Sequence, residues 1–178
     1  MLEQSVALCD ADHLLGARIL LRSAFETVAV LIYLNQITRK VLEGTLDFHD
    51  FSDKTATLLL GSRDDSTPHK SLNIVTILEK CDARYPGMRD LYAKLSESAH
   101  PNYEGMAIGY SDVDRESNVV NYRNKWQTMY GQSHLQAVEL CISVFCDEYN
   151  EEWPEAFEEL ERWIEGNDAA LEATKLGA

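Results

Sequence analysis

Arg22, Glu26, Ser96, His100 and Asn102 are the residues whose types and spacing suit proton transfer beside an anion. Arg22 and Glu26 are four residues apart, which sets them on one helical face. Their neighbours Leu20, Leu21, Phe25, Val28 and Leu31 predict that both heads are partly shielded. Arg before Glu is the weaker order for an exposed pair, so surface stabilisation explains it poorly. A buried pair stabilises little on balance, while loss of one partner costs about 3–5 kcal/mol. Such a pair either fixes helix register or neutralises a bound anion, with Glu26 orienting Arg22. His100 stands at a helix C-terminus, where the helix dipole favours the protonated ring. Ser96 and Glu97 precede it by four and three residues, and either can hold the imidazole in one tautomer. Pro101 ends the helix and Asn102 satisfies its last carbonyls. One reading is a His-Pro helix stop with local capping. The other is a proton donor and acceptor held beside Arg22 and Glu26.

The elements that must position these residues are helical. A first helix begins within the opening ten residues and runs to about Leu42, stopped by Gly44. It is apolar from Ile19 to Leu34 except for a strip formed by Arg18, Arg22, Glu26 and Tyr33. That run is too short and too charged for a membrane span, so a buried core helix is expected. A second helix covers Phe48 to Leu60, with Phe51, Thr55, Leu58 and Leu59 inward, and a loop follows from Gly61 to Pro68. A third runs from Leu72 to about Arg84 with Val75, Leu78 and Cys81 on one side, until Pro86-Gly87 breaks it. Met88, Leu91, Tyr92, Leu95 and Ala99 mark a fourth, at steps of three and four. Met106–Tyr110 and Asn118–Tyr122 read as short strands around a polar turn, Asp112 to Ser117. A fifth helix, about Tyr130 to Tyr149, places Leu135, Val138, Ile142, Phe145 and Tyr149 inward. Pro154 starts a last acidic helix, about 153–166, after which the chain frays. The expectation is an all-α bundle of five or six helices in a single domain, 1–178, with a β-hairpin or extended insertion near 106–122.

Thirty acidic against sixteen basic residues give a net charge of −14, and residues 147–172 alone carry −10. A field this negative disfavours broad nucleic-acid binding but allows a local basic site on the near-neutral remainder. Cys9, Cys81, Cys141 and Cys146 form no CxxC pair and no zinc spacing, and they read as buried thiols. A divalent ion on Glu26, Glu97 and His100 is chemically conceivable, but no HExxH or paired-histidine spacing supports it. No metal or cofactor is therefore assigned. Arg63 and His69 are weaker anion candidates, and His13, His49 and His134 have no partners at ligand spacing. The opening MLEQSVALCDADH has no basic leader pattern, so a cytoplasmic chain is expected.

LLRSAFETVAVLIYL early, LYAKLSESAHPNYEG later and the F-x-x-x-x-A-x-L-L-L-G-x-R stretch from Phe51 to Arg63 resemble prokaryotic helical proteins of the HEPN-like superfamily, over roughly residues 14–150. The resemblance implies a four- or five-helix bundle, a homodimer, and a place in defence or toxin–antitoxin systems. In active members an Arg and a His four to six residues apart cleave RNA without metal. Here Lys94 is the basic residue at that distance before His100. Six helical steps rotate it about 120° away, so Arg22 would have to supply the positive charge.

Two functions follow. The first is metal-independent RNA cleavage or nucleotide handling, with His100 as acid and base, Arg22 on phosphate, Glu26 orienting Arg22, and Ser96 or Asn102 positioning the ring. The second is a non-catalytic module with a protein partner, in which Arg22, Glu26 and His100 form a structural polar network. Its working surface is then the acidic last helix or an exposed apolar face. A small-molecule site lined by Tyr33, Tyr92, Tyr103 and Trp126 is a third arrangement. The first requires Arg22 and His100 to meet.

Overall fold

The computed structural model describes residues 1–64 and 66–174. Helices dominate it: α1 (Leu2–Asp10), α2 (Leu14–Leu42), α3 (Phe48–Leu60), α4 (Ile74–Cys81), α5 (Met88–Ala99), α6 (Trp126–Cys146) and α7 (Trp153–Thr174). A two-stranded antiparallel hairpin, β1 (Ser111–Asp114) and β2 (Val119–Tyr122), is the β structure among the described residues. The chain is thus all-α with a small β insertion. It divides into two compact units. The first comprises Met1–Val28 with Arg84–Ser143, and the second comprises Ala29–Ala83 with the chain from Val144 onward. Helices α2 and α6 contribute residues to both.

In the first unit, the single N-terminal helix expected from periodicity is two helices. The break at Ala11-Asp12-His13 carries neither Gly nor Pro, and Asp12 instead adopts φ 60°. Asp tolerates this left-handed geometry better than most residues. The Asp12 and His13 amides cap α1 by donating to the Cys9 and Leu8 carbonyls, at 3.1 and 2.8 Å. The fold-back buries Cys9, Leu14 and Ala17 around the indole of Trp126. A second link comes from Ser5, whose Oγ donates to the Ala17 carbonyl at 2.7 Å.

Helix α5 has the expected Met88 start and Ala99 end. The segment after it does not follow expectation. Residues 103–108 form a π-helical turn, so Met106–Tyr110 is not a strand and β1 begins at Ser111. Two local facts favour the turn. Asn102 Oδ1 accepts the Gly105 amide at 2.8 Å and starts it. Gly109 then lies so close to the Trp126 indole that a Cβ there would overlap the ring. The hairpin pairs Ser111 with Tyr122 through Asp114 with Val119. Its turn lies at Arg115–Asn118, held by Asp114, which accepts the Glu116 and Ser117 amides at 2.9 and 3.3 Å.

In the second unit, α3 matches its expected span because Asp47 caps it, accepting the His49 and Asp50 amides at 2.8 and 3.3 Å. Phe51 is buried as expected, but Leu59 is 77% exposed. α4 is shorter than expected, capped by Asn73, and buries Ile77 beside Leu78 and Cys81 while Val75 faces out. Gly44, at φ 69°, ends α2 while the Thr45 amide reaches back to the Lys40 carbonyl at 2.9 Å. No break separates α6 from α7: Asp147–Glu152 is a π-helical turn, and α7 continues past Gly166 to Thr174. Pro154 has no N–H to donate and crowds the carbonyl one turn back, so a local widening ahead of it keeps the chain helical.

Two glycine substitutions test this packing. Gly109→Ala pushes a methyl into Trp126 and is expected to cost about 1–3 kcal/mol in urea unfolding. Gly166→Ala, inside α7 with open space around the new methyl, is expected to stabilise by about 0.5–1 kcal/mol.

Candidate functional site

Successive turns of α2 place Arg18, Arg22 and Glu26 in one row, which faces α5 within the first unit. The lower half of this row is a closed network. The Tyr92 hydroxyl donates to Glu26 Oε1 at 2.7 Å and accepts from Arg22 Nε and Nη2 at 3.3 and 3.0 Å. Arg22 Nη2 also lies 3.3 Å from Glu26 Oε1. The pair is not deeply buried, since the two side chains keep 32% and 33% of their exposure. Solvent screening limits its direct contribution to about 1 kcal/mol or less.

His100 stands apart from that network. It is the C-terminal cap residue of α5, with extended backbone, and its side chain is exposed. Its ring makes no hydrogen bond among the described residues, to Arg22, Glu26, Ser96 or Asn102. Tyr92, which holds Arg22, lies eight residues earlier on α5, about 12 Å along the axis. Asn102 spends its side chain locally, donating to Glu97 and accepting the Gly105 amide. Ser96 Oγ is buried and has no partner among the described residues. The open groove beside Asn102, about 790 Å³ and bordered by Pro101, Tyr103, Met106, Tyr110 and Val120, is lined by no charged side chain among the described residues. The structure therefore joins Arg22 with Glu26 and leaves Ser96, His100 and Asn102 outside their network.

The upper half of the row is a different environment. Arg18 is 5% exposed, yet no carboxylate lies within ion-pair distance among the described residues. Its guanidinium is held by neutral acceptors: Nε donates to Ser98 Oγ at 2.9 Å and Nη2 to the Lys94 carbonyl at 3.2 Å. Its Cζ lies 4.6 Å from the centre of the Tyr130 ring. Burial lowers its pKa, opposed by Tyr130 and Glu104. The Tyr130 hydroxyl donates to Glu104 Oε1 at 3.3 Å, and burial with the Glu104 charge raises the phenol pKa.

One turn beyond Tyr130 on α6 is His134, fully buried. Its Nε2 shares a hydrogen bond of 3.1 Å with Ser5 Oγ, while Nδ1 is buried without a partner among the described residues. Burial, aided by the Arg18 charge, pushes its pKa down to about 4. His134 is thus a neutral core imidazole, and a protonated ring there would face a cation.

In the sequence Arg18 belongs to the polar strip without a role, Lys94 stands only as the basic residue six positions before His100, His134 has no partner at ligand spacing, and nothing marks Glu104 or Tyr130 as site residues. The available signal was the four-residue step from Arg22 back to Arg18, matched by the step from Tyr130 to His134. Tyr92 was read as an apolar position, which it is, except for its hydroxyl. Trp126, another aromatic candidate, is wholly inside the core, and Tyr103 is exposed. Among the described residues no group of three His, Cys, Asp or Glu side chains is placed to hold a metal ion. The cysteines are free. Cys9, Cys81 and Cys141 are buried and Cys146 is half-buried. Burial, with Glu148 nearby, pushes the Cys81 thiol up to about 12, and burial pushes Cys141 up to about 11.

Tyr92→Phe removes the hinge of the Arg22–Glu26 network and is expected to cost about 1–2 kcal/mol in chemical denaturation. His100→Ala, at an exposed side chain with no partner among the described residues, is expected to change stability by no more than about 0.5 kcal/mol. The buried His134 sets a pH dependence. Below its ordinary value of 6.5 the unfolded ring takes up a proton that the folded ring refuses until about pH 4. Its contribution is therefore fully present above pH 6.5 and is lost as the pH falls toward 4, by up to about 3 kcal/mol. Urea titrations of wild type and His134→Gln across that window are expected to differ in slope by close to one proton.

No family model, curated protein or solved structure matches the chain.

Proposed function

We propose that this chain is a non-catalytic, HEPN-like interaction module that captures a basic amphipathic helix on the aromatic face of α6–α7. The supporting observation is an exposed ladder in the second unit. Phe145 stacks on Tyr149 with centroids 5.2 Å apart, and Trp153 stacks on Phe157 at 5.2 Å. Tyr149 is 51% and Phe157 41% exposed, where an ordinary surface helix would show polar side chains. The same run exposes Asp147, Glu151, Glu155, Glu158 and Glu161. Aromatic anchors bordered by carboxylates complement a helix with apolar residues on one side and Lys or Arg on its margins. A second copy of the chain is the poorer occupant, because each would bring the −10 charge of residues 147–172 to the contact. The site geometry favours the same reading over catalysis. Arg22 and Glu26 are engaged with each other and with Tyr92, and His100 has no partner among the described residues to orient it as acid or base.

Calorimetric titration with a Lys/Leu amphipathic peptide of about 20 residues tests this reading against a Glu/Leu peptide of the same pattern. Binding of the basic peptide alone, weakened by salt and at least about tenfold by Tyr149→Ser with Phe157→Ser, is the expected result. Equal binding of both peptides, or a dimer abolished by the same pair of substitutions, overturns it. So does cleavage of mixed RNA without metal that is lost in His100→Ala.

A further inference from the structure

The buried guanidinium of Arg18 is short of a counter-charge and opens onto a cleft. Its two hydrogen bonds leave Nη1 with no protein partner among the described residues. The cleft holds about 550 Å³, within the usual range for a small-molecule site, and Arg18, Lys94, Glu104 and Tyr130 supply its polar wall. Leu91, Met129 and Ala137 supply an apolar wall, and the exposed Ser133 stands at its rim. The Lys94 side chain makes no hydrogen bond among the described residues. Two cations and one carboxylate leave one positive charge uncompensated. A monoanion balances that charge, whereas a phosphate dianion would add a negative charge next to Glu104.

We propose that this cleft is a binding site for a small organic carboxylate. Its oxygens lie against Arg18 Nη1 and the Lys94 ammonium, and its apolar body lies on Leu91, Met129 and Ala137. The planar guanidinium is already fixed by Ser98, the Lys94 carbonyl and the Tyr130 ring, so little side-chain entropy is lost on binding. Glu104 and the Tyr130 hydroxyl are bonded to each other on the polar wall and leave the Arg18 and Lys94 charges to the ligand. This site lies within the first unit and stands or falls separately from the aromatic ladder of the second.

The probe is hexanoate, with hexanamide and inorganic phosphate as controls, followed by calorimetry and by amide chemical shifts of Leu91, Met129 and Ser133. Hexanoate is expected to bind and shift those amides, with both controls at least about tenfold weaker. Lys94→Gln, at an exposed position, is expected to weaken hexanoate about five- to tenfold. Ser133→Phe closes the rim and is expected to abolish binding, and both variants keep the core intact, so the test does not depend on Arg18→Gln folding. No shift at those amides with hexanoate in the millimolar range overturns the proposal. Phosphate binding as tight as hexanoate overturns it too, as does unchanged hexanoate affinity in both variants.

Discussion

A guanidinium removed from water must be given either a counter-charge or acceptors for its N–H groups, and Arg18 is given only the second. Ser98 Oγ and the Lys94 carbonyl bind two of its nitrogens, and the Tyr130 ring offers its negative face. Much of the first unit follows from that arrangement. Ser98 must be a hydroxyl on the inner face of α5, and its Oγ also donates to the Lys94 carbonyl at 3.1 Å, which aims both acceptors at one point. Tyr130 sits one turn before His134 on α6, and His134 stays neutral because burial, and after it the Arg18 charge, disfavours the protonated ring. The Arg22–Glu26–Tyr92 network, one turn along the same row of α2, solves the same problem in the opposite way. Its cation has a carboxylate and a phenol, and it can afford to be partly wet.

Local signals in the sequence located the elements whose ends are chemically marked. Phe48–Leu60 follows the cap residue Asp47, and Met88–Ala99 lies between Gly87, at φ 92°, and the His-Pro stop. Boundaries without such marks were not legible. The α1–α2 break rests on Asp12 taking a left-handed conformation, an energetic choice settled by burying Cys9, Leu14 and Ala17 against Trp126. The π-helical turn at Tyr103–Ile108 occupies a stretch whose residues read as a strand, because Asn102 caps it and Gly109 must lie against the indole. The inward face of α6 departs from its periodicity for another reason. Val138 is buried as expected, but Leu135, Ile142, Phe145 and Tyr149, with the larger apolar side chains, are exposed, and His134, Ala137, Cys141, Val144 and Glu148 face inward instead. Both faces of the helix are apolar enough to be buried, so periodicity alone selects the wrong one.

The outward turn of Phe145 and Tyr149 has a physical root in the second unit. Glu148 is buried, and its Oε2 accepts from Asn35 Nδ2 at 2.6 Å, with its carbonyl accepting the same amide group at 3.2 Å. Turning Glu148 inward rotates the helix so that Tyr149 faces out and Phe145 stacks on it. Arg39 anchors the next turn, with Nη2 at 2.6 Å from Glu152 and 3.5 Å from Glu155. The widened helical turn between α6 and α7 sets the phase at which Trp153 and Phe157 follow Tyr149. One buried carboxylate, one ion-pair clamp and one proline thus decide which aromatic rings meet the solvent.

The charge of the whole chain and the charge of a single cleft act on different quantities. A net −14 sets the long-range field, and therefore the rate at which partners of either sign approach. Salt screens that field within about 8 Å at physiological ionic strength. Affinity inside a cleft depends on groups at contact distance, where Arg18 and Lys94 outnumber Glu104. An acidic protein can therefore hold a small anion at one place while its surface field draws basic segments to another. The same distinction weighs against a polyanion at the Arg18 cleft: each additional phosphate outside the pocket would meet the unfavourable field without gaining a second cation. A ligand small enough to place its one charge inside escapes that penalty, and its apolar body gains from leaving water.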